Sequence, residues 1–216
     1  MIQLNKVFVF FISLFLFTHV HAQVANVPVV QTVIQKGFPV QPDELLKTTH
    51  ALFSEYKSQK NVSSLIFYSY GMLRLANHFK ALNDYVNASE YAKLGFFYLD
   101  EAVDTHENDM RVRYLRARVD AYLPADLGRC VVTLYDTDIL LKEKKQFDHD
   151  VLAQIQYMRY RALLSCKENK KADVLLAQMK KASPSQIKLL SLGVESTPEW
   201  DVNEITQVVM PLVKGE

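Results

Sequence analysis

The sequence predicts an all-α fold of stacked antiparallel helical hairpins, an α-solenoid of about three hairpins. Three observations predict it. Glycine is scarce, with six in 216 residues, while strings of Leu, Ala, Lys, Glu and Arg recur; sheets and barrels need more turn residues than that. N-cap signals ahead of apolar segments cut the chain into helix-length pieces. Finally, two of those pieces are apolar on two sides, so each must have neighbours on both.

The elements follow in chain order. Residues 1–22 read as a signal sequence: a cationic start at Lys6, an apolar run from Val7 to Phe17, and a polar exit ending Val20-His21-Ala22. The run of about eleven residues suits a signal core but is short of the roughly 20 that span a bilayer. Small residues at Val20 and Ala22 place the cut before Gln23. The chain is then expected to be exported to the periplasm or secreted, meeting the membrane only in transit, the alternative being that the segment is kept as an uncleaved anchor; the short apolar leader suits a bacterial host. No Cys follows the run, which argues against lipid attachment.

Residues 23–42 carry Val, Gln and Pro without helical periodicity, and Pro28, Pro39 and Pro42 each remove a backbone donor. An extended arm is expected there. Residues 43–192 form the helical domain. Its first helix should start near Asp43 and run through Leu45, Leu46, Leu52, Phe53 and Tyr56, and the second covers 62–82. Asn83-Asp84 makes a turn, and Asn87 with Glu90 has capping-box spacing for a helix over 88–105. The next pair occupies 109–123 and 127–143, divided by Pro124 and Gly128. The last covers 149–167 and 171–182. Ser183-Pro184-Ser185-Gln186 starts another helix with Pro in its favoured first position. Residues 193–216 are a tail with a short helix capped by Asp201 and Glu204, which Pro211 should interrupt or end.

The two-sided helices carry the prediction. In 149–167, Val151, Ile155, Met158 and Ala162 form one stripe, and Ala153, Tyr157, Tyr160 and Leu164 another. In 109–123 the stripes are Val112, Leu115, Val119 and Tyr122, against Tyr114, Ala117 and Ala121. Gly71 and Gly95 fall inside helices, where each costs about 1 kcal/mol relative to Ala. They are equidistant from Asn83 and should lie level across the hairpin, letting two backbones approach.

Cys130 and Cys166 are the two cysteines. Their midpoint, residue 148, falls at the end of the turn between helices 127–143 and 149–167, so the sulfurs should be level. Either they form a disulfide, favoured by an oxidising compartment, or they are two buried thiols.

Residues 91–122, YAKLGFFYLDEAVDTHENDMRVRYLRARVDAY, resemble a tetratricopeptide repeat junction. Leu99-Asp100-Glu101-Ala102-Val103 looks like the end of a second helix, His106-Glu107-Asn108-Asp109 like the short turn, and the next first helix follows. Ala172, Leu176, Met179 and Pro184 match the spacing of a second helix and its closing proline. The resemblance covers 62–184, although first helices recur near 62, 109 and 149, at intervals longer than about 34 residues. It implies a scaffold that holds a peptide or partner protein in a concave groove.

Composition narrows the function classes. Net charge is +1, and without Lys6 the chain carries 24 basic and 24 acidic residues. A nucleic-acid binder would carry a positive excess. No P-loop, Rossmann glycine fingerprint, nucleophile elbow or zinc-type spacing occurs, and no cofactor is expected. His50, His78, His106 and His149 are scattered, without a second ligand one helical turn away. The chain therefore reads as non-enzymatic. Candidate partner-binding residues are Arg111, Arg118 and Tyr114 on one helix with Arg159 and Arg161 on its neighbour, because converging guanidiniums can clamp a carboxylate. The alternative is pairing within the chain, to Asp120, Asp126, Asp136 or Asp138. A small-ligand carrier with an aromatic-lined pocket is a rival to the scaffold. Asn61-Val62-Ser63 and Asn87-Ala88-Ser89 fit the glycosylation acceptor pattern of eukaryotic hosts.

Overall fold

The computed structural model describes residues 27–181, 183–193, 196 and 198–215. The signal sequence and its cleavage site lie outside the described residues. Among the described residues there is no strand. The helices are α1 (Val29–Lys36), α2 (Pro42–Gln59), α3 (Val62–Ala81), α4 (Tyr85–Thr105), α5 (Met110–Asp120), α6 (Cys130–Lys142), α7 (His149–Ser165), α8 (Asn169–Met179) and α9 (Pro184–Ser191). The C-terminal stretch runs as α10 (Val202–Glu204), a π-helical turn at Ile205–Val209, and α11 (Met210–Lys214).

Successive helices pack side by side, and in two pairs the contacts show the chain reversing. Phe79 stacks on Tyr91 and Tyr68 meets Tyr98, so α4 runs back along α3. Arg113 and Arg116 meet Asp136, while Asp120 meets Arg129, so α6 returns along α5. Cys130 at the first turn of α6 is bonded to Cys166 at the C-cap of α7, with Cα atoms 5.6 Å apart. The equal-height argument from the sequence therefore ends in a disulfide.

The two-sided helices are enclosed on both sides. Val112, Leu115 and Val119 are buried, and so are Tyr114, Ala117 and Ala121. On α7, Val151, Ile155 and Met158 are buried together with Ala153 and Tyr157. Burial of each Val, Leu, Ile or Met among these stabilises the fold by about 1.5–3 kcal/mol, and of each Ala by about 0.8 kcal/mol.

The extended arm expected over 23–42 is corrected by α1. Pro28 stands at its N-cap and Pro42 at the first position of α2, where a missing N–H costs nothing. No local side chain caps α1. Its first amide groups, of Val29 and Val30, donate instead to the buried carboxylate of Glu55 on α2, which also accepts the Ser64 hydroxyl at 2.6 Å. One residue thus ties α1, α2 and α3 together. Other boundaries shift by less. The cap of α2 is Gln41 rather than Asp43, and α4 is capped by Asp84, whose Oδ1 accepts the Asn87 N–H at 3.1 Å.

Gly71 and Gly95 do not face one another. A Cβ on Gly71 would strike Thr49 of α2, whereas one on Gly95 would lie 2.8 Å from Leu73 Cγ and 3.1 Å from the Ser69 carbonyl oxygen of α3. The glycines thin two different contacts of α3, with α2 and with α4. Pro211 does not end the last helix either. The π turn just before it widens the backbone, and the helical path continues to Lys214. A wider turn relieves the clash between a proline ring and the carbonyl one turn back.

Candidate functional site

The C-terminal stretch is not a tail but a core element. Val208, Val209 and Leu212 are buried among residues of α3, α5 and α7. Asn61, at the start of α3, donates its Nδ2 hydrogen to the Val213 carbonyl at 3.0 Å. Asn203 donates to Asp150 of α7 at 2.8 Å, and the Gln207 amide is bonded to Asp148. The face of α3, α5 and α7 that could have served as a peptide groove is thus occupied by the chain itself.

At the centre of that contact is Glu204, fully buried. Its Oε1 accepts the Tyr114 hydroxyl at 2.6 Å and the Arg118 Nε–H at 2.9 Å, while Oε2 accepts the Asp201 N–H at 2.8 Å. Arg118 also donates from Nη2 to the Pro198 carbonyl at 2.7 Å. Its guanidinium carbon lies 4.5 Å from the centre of the Tyr122 ring and 4.7 Å from that of Trp200. Burial works against the Arg118 charge, but Glu204, Tyr122 and Tyr114 together outweigh it and hold the group above its ordinary value. Burial first, and then Glu204, push the Tyr114 phenol well above its usual range, so it stays a donor.

Arg113, Arg116 and Arg129 satisfy further acids. Asp136, fully buried, takes Arg113 Nη1 at 2.8 Å and Arg116 through Nε at 2.8 Å and Nη2 at 2.9 Å. Arg129 bridges Asp100, at 2.7 and 2.9 Å, to Asp120, at 2.9 Å, and its guanidinium carbon lies 4.8 Å from the centre of the Phe96 ring. Arg113, Arg116 and Arg129 are thus each met by a carboxyl group, as buried guanidiniums must be. Burial pushes the Asp120 carboxyl up to about 7 against the pull of Arg129.

The structure therefore corrects the proposed partner-binding set. Tyr114 and Arg118 do clamp a carboxylate, but it belongs to Glu204, and at 0% and 4% exposure neither lines an open surface. Arg111 pairs with Asp109 at 3.3 Å. Arg159 meets Asp138 at 2.8 Å, and Arg161 donates to the carbonyls of Ala121 and Ser196. Arg159 and Arg161 are half-buried on different contacts, so the five residues do not converge on one open site. The intrachain alternative accounts for Asp120, Asp136 and Asp138; Asp126 pairs with Lys80 instead. Sequence reasoning missed Glu204, although the capping box at Asp201 located it on a helix, and it read Asp100 with Glu101 and Asp104 as a solvated helix face rather than as a partner of Arg129.

An open concavity lies elsewhere. Leu73 and Ala76 of α3, Ala92 and Phe96 of α4, and Leu123 and Leu127 of the α5–α6 connection line a mainly apolar groove of about 350 Å³. Two lysines stand at its rim, Lys80 paired with Asp126 at 3.2 Å and Lys93 with Glu90 at 3.1 Å. Both pairs are exposed and so cheap to exchange for a partner's carboxylates. Small residues on α4, Ala88 and Ala92, leave room for a segment to lie between the helices.

Among the described residues no group of three or more His, Cys, Asp or Glu side chains converges as a metal site, and no helix is long and apolar enough to cross a membrane. Set against known protein families, characterised proteins and solved structures, the chain matches none.

Proposed function

We propose that the protein is an exported, non-enzymatic scaffold with tetratricopeptide-like stacking, which holds a peptide or partner protein in the groove between α3, α4 and the α5–α6 connection. In this reading α3/α4, α5/α6 and α7/α8 are three successive hairpins, and the C-terminal stretch seals their shared face. The observation that carries it is the groove itself: open, mainly apolar, rimmed by two exposed lysines and unfilled by the described chain. Exposed apolar concavities of this kind mark binding surfaces more often than inert ones. A helix with two or three apolar anchors fits such a groove.

A photo-cross-linking amino acid placed at Ala92, inside the groove, tests this against one placed at exposed Ser54 on α2. The reading expects a discrete adduct from Ala92 in the envelope fraction, none of the same mass from Ser54, and its loss when Ala88→Arg blocks the groove. Identical adducts from both positions, or an adduct indifferent to Ala88→Arg, would overturn it.

A small-ligand carrier is the second reading, favoured by one observation. A cavity of about 590 Å³ is bordered by Gln154, Leu189, Trp200 and Asp150, and the buried Oε1 of Gln154 has no hydrogen-bond donor among the described residues. Mass spectrometry of the gently purified protein under native conditions separates the two readings. A retained small molecule favours the carrier.

A further inference from the structure

Two surface helices carry complementary stripes, one of them on a flank of α4 next to the flank that lines the groove. On α4, Val86, Glu90, Leu94, Phe97 and Glu101 recur every third or fourth residue and so line one flank. Phe97 at 60% exposure and Leu94 at 41% form its apolar centre. Acids surround them: residues 84–109 contain seven carboxylates and a single lysine. Of these, Glu90, Asp104 and Glu107 are exposed. On α8 the pattern is reversed. Residues 167–181 contain five lysines and two carboxylates, and Val174 stands 61% exposed between Lys170, Lys171 and Lys181. Beside Val174 an open groove of about 400 Å³ runs between α7 and α8, with Leu163 and Leu175 among its lining and Arg159, Lys170 and Lys171 on its walls.

We propose that the α4 stripe of one molecule docks in the α7–α8 groove of a second copy, so that the protein self-associates head to tail. An aromatic side chain flanked by acids on one face fits an apolar groove walled by cations on the other, and one chain carries both halves. The occupant is therefore a second copy rather than an unrelated partner. Because the two faces differ, each contact leaves one free face at either end, and association extends into open chains or closes as a ring rather than stopping at a symmetric dimer. One helix stripe against one groove belongs to the small, weak class of interfaces. The charge complementarity makes the contact sensitive to salt, since the screening length falls from about 30 Å at 0.01 M to about 3 Å at 1 M. The α4 stripe adjoins the proposed peptide groove through the Glu90–Lys93 pair, but Phe97, Lys170 and Lys171 lie outside its lining, so the variants below test this inference separately from the function above.

Sedimentation of the full-length mature protein across concentration tests it. At low salt the weight-average mass should climb above that of the monomer with concentration, and at about 1 M salt it should return to it. Phe97→Asp and the double variant Lys170→Glu/Lys171→Glu should each be monomeric, while unchanged thermal melts show that these exposed substitutions leave the fold intact. Mixed together, the two variants should form a capped one-to-one dimer, because each retains the face that the other needs. A wild-type protein that stays monomeric at low salt, a Phe97→Asp variant that associates like wild type, or a mixture that fails to pair would each overturn the proposal.

Discussion

Arg118 of α5 and Glu204 of α10 form an enclosed ion pair, Nε to Oε1 2.9 Å, across 86 residues of sequence. The pair explains why the C-terminal stretch belongs to the core. Removing one member leaves the other charged and buried, which costs about 3–5 kcal/mol. Glu204→Ala and Arg118→Ala should each lose that much in urea unfolding. Tyr114→Phe, which removes only a hydrogen-bond donor, should lose about 1–3 kcal/mol. A double variant lacking both charges should be less damaged than the sum of the single ones, since neither charge is then stranded.

The Cys130–Cys166 bond closes a 36-residue separation. Linking points that far apart restricts the unfolded chain enough to stabilise the fold by about 3–4 kcal/mol. Reduction should lower the unfolding midpoint accordingly, and the non-reduced protein should be two hydrogens lighter by intact mass. An unchanged midpoint on reduction would mean that the packing of α6 on α7 needs no tether.

Gly95→Ala tests the close approach of α3 and α4. In an exposed helix the change would gain about 1 kcal/mol. Here the new methyl would press on Leu73 and on the Ser69 backbone oxygen, and overpacking of that kind typically costs about 1–3 kcal/mol. The expected result is net destabilisation by thermal melting; a stabilised variant would show that the helices separate freely.

Stability should respond to pH in two opposite ways. Burial holds the Asp120 carboxyl at about 7 in the fold against an ordinary 3.8. The folded form then keeps a proton that the unfolded chain has released, so stability falls as pH rises from about 4 to about 7. Asp120→Asn should flatten that slope in urea unfolding curves. Hydrogen bonds from Asn87 lower Asp84, and a hydrogen bond from Ser185 is the leading cause that lowers Asp150. Their contribution is complete above 3.8 and is lost as pH falls below it.

Much of this architecture was legible in the sequence because it is locally encoded. Asp109, Asp148, Ser183 and Asp201 each accept an amide hydrogen two or three residues on, a spacing visible in the sequence alone. The buried stripes of α5 and α7 follow from periodicity, and the level cysteines from hairpin symmetry. What escaped was held by distant partners. The carboxylate capping α1 sits on α2, 25 residues away from Val30, so the proline-rich segment lacked any local helix signal. The same distance hid the candidate site: the arginines of α5 suggested an anion clamp, but no local pattern shows that the anion would come from Glu204. Pro211 was expected to interrupt or end the last helix; it stands where the helix is interrupted, just after the π turn, and the helical path resumes to Lys214.

The account rests on the C-terminal stretch being part of the folded core, which closes one face and leaves the α3–α4 groove as the open one. Hydrogen exchange of the intact protein tests this most directly. Amides of Val208, Val209 and Leu212 should exchange as slowly as those of Val112–Val119, both through global unfolding. Exchange there faster by orders of magnitude, with α5 still protected, would show that the stretch detaches and that the arginine-lined face is the groove in use.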